Sequence, residues 1–122
     1  MEPRGKVAVV TGGNSGLGEA AAVALAKAGA TVMTCDVSGA APAGETILCD
    51  VTDPDNIAVA VEQVVRHHGR IDILVNNAGI GGVSPIATED GPIDLASFRR
   101  IIEVNLIGAT AVAGAVAHRM IG

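Results

Sequence analysis

Apolar positions along this chain come in short runs and in stripes, and the two patterns alternate. Residues 6–11, KVAVVT, are β-branched and continuously apolar, the signature of a strand buried on both faces. Residues 16–28 are rich in Ala and Leu and end at Gly29, which predicts a helix with a glycine stop. TVMTCD at 31–36 and ETILCD at 45–50 read as a second and a third strand. Thr52 or Asp53 can cap the next helix, with Pro54 in its first turn and Gly69 at its end. Ile57, Val61, Val64 and Val65 give that helix one apolar stripe. IDILVNN at 71–77 reads as a fourth strand, 79–92 as a long loop rich in Gly and Pro, and 95–119 as a last helix.

Strands alternating with helices predict an α/β fold with a parallel sheet covered on both faces. Only eight residues, VSGAAPAG, join strands two and three. A parallel crossover normally takes about a dozen or more, so a short irregular link is expected there. On the last helix, Ala109, Ala113 and Ala117 recur every four residues beside Thr110 and Gly114. That small face predicts helix–helix association, hence a homo-oligomer. Ile102, Leu106 and Val116 are expected to face the chain's own sheet.

Length and composition fit one domain, residues 1–122: 122 residues with 49% apolar content are enough for a core. A net charge of −5 with scattered Lys and Arg argues against a nucleic-acid groove. The longest uncharged run, 104–117, is short of a membrane span, and the N-terminal apolar run is too short for a signal peptide. Cys35 and Cys49 have no metal or redox spacing and read as reduced core cysteines, which suits a cytoplasmic protein.

The candidate chemistry lies between the first strand and the first helix. TGGNSGLG spaces its glycines as Gly12-x-x-x-Gly16-x-Gly18. Gly12 allows a sharp turn, Gly16 a close approach of backbone to a pyrophosphate, and Gly18 tight helix–strand packing. The helix N-terminus adds free amides and a positive dipole end. No Gly-Lys-Ser/Thr comes after it, so this is not a Walker A loop. Asp36, at the end of the second strand, can accept the ribose hydroxyls of an adenosine. It would repel a 2′-phosphate, and neither Ser15 nor Val37 offers a base to hold one. NAD is therefore favoured over NADP. His67 and His68 are read as surface residues near a helix end, and His118 as a helix C-terminal residue without catalytic role.

These residues resemble the short-chain dehydrogenase/reductase family over the whole chain. TGGNSGLG is similar to its Thr-Gly-x-x-x-Gly-x-Gly loop, which would put Thr11, Gly12, Ser15, Gly16, Leu17 and Gly18 at the cofactor. CDVTD at 49–53 resembles the segment in which Asp50 meets the adenine amino group and Val51 the ring. NNAG at 76–79 resembles the signature after the fourth strand, so Asn77, Ala78 and Gly79 would line the cofactor. VNLIG at 104–108 resembles the helix segment whose Asn, here Asn105, serves a proton relay. Within the family, the long loop after Gly79 and LASFRRIIEVNLIG resemble the type 2 3-hydroxyacyl-CoA dehydrogenases, while the short link after Asp36 departs from them.

The resemblance implies a Rossmann-type doubly wound sheet in the order 3-2-1-4. It also implies an NAD-dependent oxidoreductase acting on a secondary alcohol or its ketone. The family's catalytic Ser and its Tyr-x-x-x-Lys are missing from these 122 residues, which contain no Tyr. The chain thus reads as the cofactor-binding, N-terminal half of such an enzyme and is expected to be inactive alone. The alternative is a non-catalytic nucleotide-binding or partner-binding half-domain. Tyr-x-x-x-Lys further along the coding frame would separate the two.

Overall fold

In a computed structural model that describes residues 1–81 and 85–121, the chain forms a four-stranded parallel sheet with helices on both faces. Residues 82–84 of the long loop, and Gly122, lie outside the described residues. The sheet is built from β1 (Val7–Thr11), β2 (Thr31–Asp36), β3 (Glu45–Leu48) and β4 (Ile73–Asn76) in the order β3-β2-β1-β4, as expected. Every residue of β1 is buried, because it is central and covered above and below. Its side chains alternate. Val7 and Val9 join the larger core with Met33, Ile47 and the helices α2 (Pro54–His68) and α4 (Ala109–Met120). Ala8 and Val10 face the other way, onto Ala22 and Leu25 of α1 (Gly16–Lys27).

The helix signals act as read. Asp53, rather than Thr52, caps α2 by accepting from the N–H groups of Asp55 and Asn56, and Gly69 ends it in the left-handed region at φ 81°. Ile57, Val61 and Val64 are buried, Ala60 joins them, and Val65 is half-buried. Each such Val or Ile contributes roughly 1.5–3 kcal/mol by leaving water. The link over 37–44 contains no helix. The fourth strand is shorter than its apolar run, and among the described residues β4 has no neighbour on its outer side. The loop carries one addition, a two-residue ladder of β5 (Ala87–Thr88) and β6 (Gly91–Pro92).

The last helix departs most from its straight reading. It is α3 (Leu95–Ile102), then a π-helical stretch Glu103–Gly108, then α4. The π stretch adds a residue to the turn and rotates the helix beyond it. The sheet-facing residues become Val104, Gly108, Val112 and Val116, all buried, while Leu106, expected inward, is 61% exposed. Counting at 3.6 residues per turn through this stretch misplaces Leu106, whereas Val116 is buried as expected and Ile102 is half-buried. Together these segments, Leu95–Met120, are long and apolar enough by length and composition to cross a membrane, although no single uncharged run in them is. In this fold only Val104, Gly108, Val112 and Val116 of that stretch are buried, and 22% of its apolar window lies inside the protein. Ala113, Gly114 and Ala117 are exposed on the opposite side.

The accessible surface is 7188 Å² for 12.1 kDa. A self-contained monomer of that mass exposes about 6,000 Å². The excess agrees with an open β4 edge and with Leu95, Phe98, Leu106 and Ile107 standing in solvent.

Candidate functional site

The C-terminal ends of the four strands open onto one cavity of about 390 Å³. This is where the loops of an open parallel sheet diverge. Its near wall is the glycine loop. The chain leaves β1 through Gly12 at φ 61°, whose N–H stays paired with the Cys35 carbonyl at 2.8 Å. Gly13 has ordinary backbone angles, yet a Cβ there would stand 2.6 Å from Thr34 Cγ2, so it is a packing glycine. Gly16 is the reverse case, with φ 57° and open space where a Cβ would be. Gly18 is the tightest: a Cβ would land on the Gly12 carbonyl and 2.5 Å from Asn77 Nδ2. Ser15 begins α1 without a side-chain cap, which leaves the first-turn amides to a ligand or water.

The loop after β4 is tied to β1 from behind. Thr11, almost wholly buried, accepts from the N–H groups of both Asn77 and Ala78 at 2.9 Å. Asn77 Nδ2 donates to the Gly12 carbonyl at 3.3 Å. Asn76 Nδ2 donates to the Ala109 carbonyl at 2.7 Å and so joins β4 to the start of α4. Asn105 clasps the same loop from the π stretch: its Oδ1 accepts from Ile80 N–H at 2.8 Å and its Nδ2 donates to the Ile80 carbonyl at 2.7 Å.

Two carboxylates sit on the far wall. Asp36 Oδ1 accepts from Val37 N–H at 2.8 Å and from Ser38 N–H at 3.3 Å, and its Oδ2 accepts from Asn14 N–H at 3.1 Å. Asp50 Oδ1 accepts from the Thr52 hydroxyl at 2.7 Å and the Thr52 N–H at 2.9 Å. These bonds, helped by the nearby Arg100 charge, hold the Asp50 carboxyl below its ordinary range. Between the carboxylates lie Cys35 and Cys49, both free and buried. Burial first, then neighbouring Cys49 and Asp36, pushes the Cys35 thiol up to about 12, and burial with Asp50 and Asp53 raises Cys49. Both are therefore neutral near pH 7 and present an apolar floor.

The depressed pKa of Asp50 makes its contribution to stability depend on pH. That contribution is present above the ordinary aspartate value near 3.9 and is lost as pH falls through the folded value. Replacing Thr52 with Val removes the hydroxyl bond and is expected to raise the Asp50 pKa toward the ordinary value. Carboxyl ¹³C titration of Asp50 measures it; an unchanged midpoint in T52V contradicts the hydrogen-bond origin.

Of the residues singled out in the sequence, Gly12, Ser15, Gly16, Leu17, Asp36, Asp50, Val51, Asn77, Ala78 and Gly79 line the cavity. Thr11 and Gly18 stand behind it, as anchor and packing residue. Asn105 lies outside the lining and reaches the cavity through its neighbour Ile80. Sequence reasoning did not assign Cys35, Val37, Cys49, Ile80, Arg100 or Val104 to this wall. Alternation turns Cys35 to the face opposite Asp36, so it gave no signal for Cys35; both line the cavity because it lies across the end of the strand. Arg100 and Val104 depend on where the π stretch places the helix. No group of three or more metal-ligating side chains occurs among the described residues.

Comparison with known proteins bears on this arrangement. The model of the family described as short chain dehydrogenase matches residues 6–122. A mitochondrial borneol dehydrogenase of Lavandula x intermedia is 37% identical over 111 residues, covering 85% of this chain and 42% of that protein. The ligand-free aldohexose dehydrogenase of Thermoplasma acidophilum superposes with a TM-score of 0.87 at 32% identity, over 97% of this chain and 45% of the other. An NAD⁺-bound xylitol dehydrogenase gives 0.85 at 31% identity, over 98% and 50%. The chain thus spans half or less of the length of each of these proteins.

Proposed function

Since the chain belongs to the short-chain dehydrogenase family, we propose that it holds a nicotinamide dinucleotide, NAD in preference to NADP, for an oxidoreductase acting on a secondary alcohol or its ketone. One observation carries this reading. The glycine at 16 leaves open space beside uncapped first-turn amides, and the same cavity runs to a fixed carboxylate at Asp36. The residues fit the dinucleotide part by part. First-turn amides of α1 suit the pyrophosphate. Asp36 keeps lone-pair capacity on Oδ2 for a ribose hydroxyl. Asp50, Val51 and the neutral thiols form a slot with a polar rim and an apolar floor, suited to adenine. The xylitol dehydrogenase that superposes on this chain carries NAD⁺.

When bound, the cofactor supplies hydride exchange at its nicotinamide ring. The chain's own residues bind, orient and exclude water. Thr11 fixes the Asn77–Ala78 backbone against the glycine loop, and Asn105 fixes the loop at Ile80. The two supports hold that wall of the cavity at a set distance from α1. Among the described residues none is placed to move a proton on an alcohol, and the sequence contains no Tyr.

Titration with NAD and NADP by NADH-fluorescence displacement tests the preference. A 2′-phosphate near 4 Å from Asp36 meets repulsion of about 1 kcal/mol per charge pair in water and about 4 at a protein surface, so NAD is expected to bind at least about tenfold tighter. Asp36→Ala is expected to erase most of that gap. Tighter NADP binding by the parent chain would overturn the preference. A second reading is a nucleotide-binding module without catalysis, since the described residues that line the cavity include no Tyr, His or Lys. A coding frame that ends here without a partner supplying Tyr-x-x-x-Lys would select it.

A further inference from the structure

The Asn14 side chain is the hub of a polar cluster beneath the rim of the cavity. Its Oδ1 accepts from the Thr34 hydroxyl at 2.7 Å, and its Nδ2 donates to the Ser38 carbonyl at 2.9 Å. Thr46 stands at 3.4 Å from both atoms. Thr34 is fully buried and sits on the central sheet, so the amide is pinned from the rigid side. Its other arm reaches the irregular link after β2, where Ser38 is exposed. Ser38 N–H in turn donates to Asp36 Oδ1, at 3.3 Å the longest of the bonds holding that carboxylate. Asn14 N–H holds the other oxygen. The carboxylate therefore depends on a link that has no helix or strand of its own and is held to the glycine loop by one amide.

We infer that Asn14 is a positioning residue for cofactor choice: it fixes the Ser38 backbone and, through it, the Asp36 carboxylate that discriminates a ribose 2′-hydroxyl from a 2′-phosphate. This rests on the nicotinamide-dinucleotide reading above. With the amide removed, the link drifts and the carboxylate loses its set orientation. A ribose hydroxyl then meets its acceptor less often, while a 2′-phosphate meets a repulsive charge that can swing aside. The fold itself survives, because Thr34 keeps the Thr46 hydroxyl at 3.1 Å and the Glu45 carbonyl at 3.4 Å as partners.

The test is calorimetric titration of the full chain and of Asn14→Ala with NAD and with NADP. Amide hydrogen exchange is measured in parallel at Val37 and Ser38. In the variant, NAD affinity is expected to fall about five- to tenfold, the scale of one hydrogen bond, and NADP affinity by less than about twofold. The preference narrows, and exchange at Ser38 speeds up while β1 amides stay protected. Asn14→Ser, too short to reach Ser38, is expected to behave alike and serves if the alanine variant is unstable. Thr46→Val, which keeps the Asn14–Ser38 bond, is expected to retain the parent ratio. NAD and NADP affinities that fall in parallel, or a ratio equal to the parent's with unchanged Ser38 exchange, overturn the inference alone. A parent chain that binds neither dinucleotide overturns the functional reading and this inference with it.

Discussion

Gly18→Ala is expected to destroy both the fold of the glycine loop and any dinucleotide binding. The new methyl group would land on the Gly12 carbonyl, 2.8 Å from its carbon and 2.5 Å from Asn77 Nδ2. The Asn77 amide could turn aside, but the Gly12 backbone cannot retreat cheaply. Gly12 is held by its bond to the Cys35 carbonyl, and its α-carbon is closely backed by Ala78, only 3.0 Å from where a Cβ would stand. Overpacking against backbone costs about 3 kcal/mol or more, a large share of a domain's net stability of roughly 5–15 kcal/mol. For a chain of this size the melting midpoint should drop by roughly 10 °C or more. Gly114→Ala is the control: nothing lies within 4 Å of its would-be Cβ, and a mid-helix alanine adds up to about 1 kcal/mol. Circular-dichroism melts of the two variants decide it. A Gly18→Ala chain that melts and binds like the parent would show that close helix–strand contact is not what this position is for.

The second large effect is an absence. The 122-residue chain, mixed with NAD and secondary alcohols, is expected to give no NADH above background. Hydride transfer from an alcohol requires that its proton be taken up in the same event. A positioned acid or base contributes about 10² to 10⁴-fold to such steps. Asn105 is no substitute, because a neutral carboxamide neither takes up nor releases a proton near pH 7, and its amide is paired with the Ile80 backbone. His67 and His68 sit at the end of α2, outside the lining of the cavity. His118 lies near the end of α4. Adding a partner chain that carries Tyr-x-x-x-Lys should raise the rate if its strand can pair with the open edge of β4. NADH production by the purified chain alone, at ordinary enzyme rates, would contradict this.

The sheet, the glycine loop and Asp36 were legible in the sequence because they rest on local signals, whereas Asp50, Val51 and Asn77 to Gly79 entered only through the family resemblance. Val7 to Val10 are apolar without a break because β1 is covered on both faces. Gly69 marks the end of α2 because its positive φ belongs to glycine. The spacing of Gly12, Gly16 and Gly18 ties each to a different steric demand; the turn at Gly12 and the close packing at Gly18 appear in the structure, and Gly16 has a positive φ with open space where a Cβ would stand. Two features were not legible. The π stretch at Glu103–Gly108 carries no sequence signature of its own; it exists where Gly108 must pass Val51, a Cβ there standing 2.9 Å from Val51 Cγ2. That long-range contact decides that Leu106 faces solvent and that Arg100 and Val104 reach the cavity. Asn14 was also invisible as a hub, since an Asn in a glycine loop looks like turn chemistry until Thr34 and Ser38 are seen on either side of it.

If the glycine loop, Asp36 and the Asp50–Val51 segment form one dinucleotide site, a single ligand must perturb all three together. Amide chemical-shift mapping of the ¹⁵N-labelled chain during titration with NAD reads this directly. Saturable shifts are expected at Gly12, Gly16, Leu17, Val37, Val51 and Gly79, with the His67–Gly69 end of α2 unmoved. Shifts confined to other surfaces, or no shifts at millimolar NAD in a chain that remains folded, would contradict a shared site.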